Sequence, residues 1–140
     1  MSAYKIIQTE FRNLDSLKKA LADCGFGHCD LSAGPKVNGL ELTPYHILPG
    51  QRIDKAVVRL PKSHYHGFED TGFAWDEASG SYRAIISTHD GDGNFGAGTL
   101  KQVQQRYAYW EIKRQAAVKG YTVREVKSTD GTIRLQLTHR

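Results

Sequence analysis

The 140-residue chain is poor in the residues that staple or span. It has two cysteines, one methionine and two tryptophans. Two thiols cannot build the dense disulfide framework of a small secreted scaffold. No run of 18 apolar residues occurs, so no membrane-spanning helix is expected. The opening MSAYKIIQTEF lacks the long apolar stretch of a secretory signal, which points to a cytoplasmic protein with Cys24 and Cys29 as free thiols. A basic tail is also missing. Residues 1–70 carry nine basic and eight acidic side chains, and residues 71–140 carry ten and seven. The net charge of +4 is therefore spread along the chain, whereas a phosphate-backbone binder more often concentrates it.

What is present suits one α+β domain over residues 1–140. Apolar residues make up 39% of the chain and the mean hydropathy is −0.52, enough for a modest core under a polar surface. Tyr4 to Phe11 reads as a strand. Asn13 then caps a helix over 14–24, where Leu14, Leu17 and Leu21 recur at helical spacing and Gly25 stops the run. Residues 27–53 are broken by glycines and prolines, with short strands expected near 37–42 and 45–48. A further strand runs from Asp54 to Leu60 and ends at Pro61. TGFAWDEASGSYRAIIST forms a hairpin about Ser79 and Gly80, with Phe73 and Trp75 on one face and Tyr82 and Ala84 on one face. A helix over 99–119 follows, and Gly120 ends it. The chain closes with a second hairpin turning at Asp130 and Gly131, where Ile133, Leu135 and Leu137 alternate with Arg134, Gln136 and Thr138. This order predicts an antiparallel sheet with two principal helices on one face, a ferredoxin-like core with an added hairpin. Leu17, Leu21, Leu100, Val103, Tyr107, Ile133, Leu135 and Leu137 are expected in the core.

The motifs for chemistry are incomplete. Cys24, His28 and Cys29, with His64 and His66, offer soft ligands, but Cys-x4-Cys lacks the usual zinc hook and no second cysteine pair exists. The pair is not the Cys-x-x-Cys of thiol redox proteins either. Asp90, Asp92 and Asn94 occupy alternate positions as in a calcium loop. Phe95 stands where that loop needs glycine, however, and Lys101 where it needs a bidentate glutamate. The glycines at 91, 93, 96 and 98 are not followed by a lysine–hydroxyl pair for phosphate, and Asp90 and Asp92 would repel one. His46, His64, His66 and His89, with Ser63 and Ser87, could serve acid–base or nucleophilic roles, but no nucleophile elbow is present. The expectation is no catalytic set, no metal and no cofactor, with a small enzyme as a minor alternative.

TLKQVQQRYAYWEIKRQAAVKGY, from Thr99 to Tyr121, is the segment that suggests a role. On a helical wheel Leu100, Val103, Tyr107, Trp110 and Val118 share one face, with Arg114 at its margin. Ala108, Ile112 and Ala116 lie on another side, with Tyr109 beside them. One side must cover the sheet. The other could remove water at a partner, because Tyr, Trp and Arg are frequent interface anchors. Arg106, Tyr107, Tyr109, Trp110, Ile112 and Arg114 are therefore expected to form a contact with another protein or with a second copy of the chain. The alternative is nucleic-acid binding through Arg106, Lys113, Tyr109 and Trp110, although the RNP string of the common sheet-based RNA module is absent.

LKQVQQRYAYWEIKRQAAVKGY, the following TVREVKSTDGTIRLQL and the opening IIQTEFRNLDSLKKALADCGF together resemble the hypothetical chloroplast reading frame thirty-five family. Gln105, Arg106, Tyr107, Ala108 and Tyr109 form the most specific string, and Trp110 stands where members tend to carry histidine. The resemblance implies a small α+β domain in a cyanobacterial, plastid or phage setting. It implies no reaction and no catalytic residue.

Overall fold

A computed structural model describes residues 4–139, with the side chain of Ile133 outside the description. Strand β1 (Tyr4–Gln8) leads to α1 (Leu14–Asp23). Four short strands follow: β2 (Asp30–Leu31), β3 (Leu40–Glu41), β4 (Lys55–Ala56) and β5 (Val58–Leu60). A single turn, α2 (Lys62–Tyr65), precedes the hairpin of β6 (Thr71–Asp76) and β7 (Ser81–Ser87). The long α3 (Ala97–Val118) then leads into β8 (Tyr121–Lys127) and β9 (Ile133–His139). The fold is α+β, and its ladders are antiparallel.

The main sheet has the order β1-β7-β6-β5-β2. Its register sorts the side chains. Ile7 lies opposite Ala84, and Ala84 opposite Phe73, which in turn pairs with Val58. This row faces α1 and α3, and with Leu17, Leu21, Leu100, Val103 and Tyr107 it builds the principal core. On the other face of the sheet, Tyr4, Ala74 and Ile85 form a smaller cluster with Leu42 and Ala56 of the β3–β4 region. Gly72 permits that approach: a Cβ there would stand 2.6 Å from Leu42 Cδ1 and 2.9 Å from Ala56 Cβ.

Local chemistry explains the boundaries. Asn13 Oδ1 accepts from Ser16 N at 3.0 Å and caps α1, and Gly25 leaves the helix at φ 88°. Gly80 and Gly131 adopt φ 67° and 88° in the two hairpin turns. The short helix α2 follows Pro61. Asp70, itself buried, accepts from Lys62 N and Thr43 N, each at 2.8 Å. That tie joins two loops across the chain, and residue spacing alone does not reveal it.

Several expectations change. Residues 45–48 form no strand, and strand pairing near 37–42 is confined to Leu40–Glu41. Leu137 is 52% exposed and Leu135 only half-buried, so neither belongs to the main core. Ile133, also expected there, has its side chain outside the described residues. The reason is topological: among the described residues β8 and β9 pair with each other as a separate two-stranded sheet, and β8 packs on α3. Val118 shares a wheel face with Leu100 but, as the last residue of α3, is 82% exposed.

Candidate interaction surface

The first half of α3 is committed to the core. Tyr107 is 7% exposed, and its ring packs tilted against Phe11 at 4.7 Å. Its hydroxyl accepts from Arg12 N at 2.8 Å and Asn13 N at 3.0 Å. It thereby satisfies backbone donors at the entrance to α1. Burial raises the phenol's pKa, so it stays neutral. Tyr107 is thus a core residue that joins two helices, which removes it from the expected contact surface.

Next along the helix, Arg106 and Trp110 converge on one carboxylate. Arg106 Nε and Trp110 Nε1 donate to Asp23 Oδ2 at 2.9 and 2.7 Å. Arg106 Nη1 also reaches Glu125 Oε1 at 3.1 Å, and its guanidinium lies 4.3 Å from the Tyr109 ring centre. One arginine therefore ties α1, α3 and β8. Burial opposes its charge, but hydrogen bonds and attraction from Asp23 and Glu125 outweigh this and raise its pKa. Trp110 is further flanked by Lys19 and Lys113, each 5.1 Å from its ring. Arg114 is paired with Glu111 at 2.7 Å, one turn away on the surface.

What remains open is a groove of about 600 Å³ between α3 and the closing hairpin. Gln105, Ala108, Tyr109 and Ile112 form the helix wall, and Asp130, Gly131, Thr132 and Leu135 form the hairpin wall. Ile112 is 41% exposed. The turn wall is preorganised, because Asp130 accepts from Ser128 Oγ, from Thr132 N at 3.0 Å and from Thr132 Oγ1 at 2.6 Å. Those bonds hold its carboxyl down at about 2. Of the six residues expected from sequence, Tyr109, Ile112 and Arg106 line this groove, while Trp110 and Arg114 are engaged beside it. Sequence reading missed the hairpin wall, since pairing Leu135 with Tyr109 and Ile112 needs the tertiary fold.

The other motifs resolve into structure. Asp90 accepts from Gly96 N and Thr99 Oγ1, both at 2.9 Å, and so places its carboxylate at the start of α3. Burial alone would raise its pKa, but bonds from Thr99, Gly96 and Gly98 lower it. Gly96 and Gly98 are required because a Cβ at either would come within 2.5 Å of Asp90. The glycine-rich loop thus holds an internal anion. His28 and His64 do meet, stacked at 3.8 Å and 6°. In-plane lone pairs on parallel rings do not converge on one ion. Among the described residues no three His, Cys, Asp or Glu side chains gather as a metal-holding set. Cys24 and Cys29 are free, and burial raises both thiols' pKa values, which disfavours thiolate. No helix among the described residues is long and apolar enough to cross a membrane.

Residues 48–136 match the family described as Protein of unknown function (DUF1257), and the chain belongs to that family. The matched segment runs from the loop before β4 into β9, so it contains both walls of the groove. No curated protein and no solved structure matches the chain.

Proposed function

We propose that this member of the family is a non-enzymatic accessory protein that binds another protein, or a second copy of itself, through the groove between α3 and the β8–β9 hairpin. The observation that carries this reading is the open apolar lining of Tyr109, Ile112 and Leu135 between fixed polar groups, Arg106 on one side and Asp130 on the other. Such a surface gains from desolvation at its centre and from orientation at its rim. The nucleic-acid alternative fares less well here. Arg106 and Arg114 already face carboxylates, Trp110 is engaged with Asp23, and Asp130 would repel a phosphate.

The same fold supports a ferredoxin-like reading. Once β2–β5 and α2 are set aside as an insertion after α1, the order β1-α1-β6-β7-α3-β8 has the required alternation, and β1, β7 and β6 are neighbours in that order. The fourth strand, β8, has left the sheet to pair with β9. A cytoplasmic location in a photosynthetic or phage setting belongs to the same proposal.

The test is Ile112→Glu in the full chain, with light scattering and a photocrosslinker at Tyr109. A specific crosslink or dimer that Ile112→Glu abolishes is expected. A monomer that captures no protein, yet binds single-stranded RNA with a steep salt dependence, would overturn the proposal.

A further inference from the structure

The sheet face turned away from α1 and α3 carries a second concavity, of about 470 Å³. Its floor is apolar, formed by Ile6, Ala74 and Ile85, with Ile6 paired to Ile85 across β1 and β7. Ile6 is 55% exposed there. Three cations, Arg52, Lys55 and Arg83, line the walls with Asp54. None of the three has an ion pair, side-chain hydrogen bond or ring contact among the described residues. Some cations elsewhere are engaged, as Arg59 is with Asp30, Arg106 with Asp23 and Glu125, and Arg114 with Glu111.

One wall is held rigidly. Asn38 donates to Trp75 O at 2.9 Å and accepts from Trp75 N at 2.7 Å, so its amide stands in for a neighbouring strand beside β6. The positive groups come from separate elements, the loop before β4, β4 itself and β7, and the fold brings them round one apolar floor. Two guanidiniums and an ammonium suit a phosphate, whose oxygens accept several charge-assisted bonds. The floor suits a ring or other flat apolar body. Asp54 opposes a second anionic group but can accept from a hydroxyl or amine. The volume lies within the range of small-ligand sites.

We infer that this pocket binds a small organic phosphate with a ring body and hydroxyl or amino donors, of the mononucleotide class, held by Arg52, Lys55 and Arg83 over Ile6 and Ile85. It lies apart from the groove assigned to protein contact, so the two proposals stand or fall separately.

The experiment is titration of the full chain with adenosine 5′-monophosphate, followed by calorimetry and amide chemical shifts. Inorganic phosphate and adenosine serve as half-ligand probes. One saturable site is expected, with shifts in β4 and β7. Arg83→Gln and Arg52→Gln should each weaken it at least tenfold. Both side chains are exposed, so thermal melts should confirm intact folds. Lys101→Gln, on α3, and Ile112→Glu, in the groove, should leave the affinity unchanged. Inorganic phosphate should compete weakly, and adenosine should bind far less tightly than its phosphate. Absence of saturable binding to both phosphates at millimolar concentration would overturn the inference. So would adenosine binding as tightly as its phosphate, affinity indifferent to Arg83→Gln, or oligonucleotide binding that the monophosphate does not displace.

Discussion

Tyr107 and Ile112 lie five residues apart on one helix, yet the first is buried among Phe11 and the strands while the second is 41% exposed. The difference belongs to their neighbourhoods. The first half of α3 rests on α1 and a five-stranded sheet, where apolar rows from several elements close over one another. The second half keeps Trp110 against α1 and the core edge, and beyond it has a two-stranded ribbon beside it. A lone hairpin is marginal in water and cannot bury both faces of anything laid on it. Stability is therefore concentrated in the sheet half, and the hairpin half offers accessible surface.

The strongest way to break this contrast is Phe73→Ala, at the centre of the sheet. It is expected to cost about 3–5 kcal/mol in denaturant unfolding, because it empties a fully buried aromatic site. A cost below 1 kcal/mol would mean that the sheet is not the stability centre. Tyr107→Phe comes next. It keeps the ring but leaves the amides of Arg12 and Asn13 without their acceptor, at a cost of about 1–3 kcal/mol. If the mutant is as stable as the parent, that junction is irrelevant.

Asp90→Ala should cost about 0.5–2 kcal/mol by removing the carboxylate that accepts from Gly96 N and Thr99 Oγ1 at the start of α3. The pH dependence has a definite sign. Asp90 is held below its ordinary value near 3.8, so its contribution is present above that value and is lost as pH falls through the lower folded value. Wild type and Asp90→Ala should converge in stability under acid; a constant gap across that range would contradict a stabilising role for the ionised carboxylate. The smallest effect should come from Leu137→Ser, within about 0.5 kcal/mol because the side chain is largely exposed. Hydrogen exchange sharpens the same contrast: β8–β9 amides should open at lower free energy than those of β6 and β7. Equal protection would erase the distinction between the two regions.

Much of the element order is legible from local signals. Asn13 and Gly25 bracket α1, Gly80 turns the first hairpin, and Gly131 turns the second. The buried set Leu17, Leu21, Leu100, Val103 and Tyr107 follows from helical periodicity. Leu135 and Leu137 expose the limit of that method. Their period of two correctly marks a strand with an apolar face, but periodicity says nothing about what covers the face. Arg106 and Trp110 show it from the other direction. Read as free anchors, they are tied to Asp23, which lies far away in the chain.

The sequence by itself determined where helices and turns form, because capping, glycine dihedrals and side-chain spacing act over a few residues. Only the tertiary structure decided which apolar faces were covered and which charges were paired. It tied Arg106 and Trp110 to Asp23, left Ile112 and Leu135 along a groove, and gathered Arg52, Lys55 and Arg83 round Ile6 and Ile85. Those outcomes depend on contacts between residues tens of positions apart, and no local pattern records them.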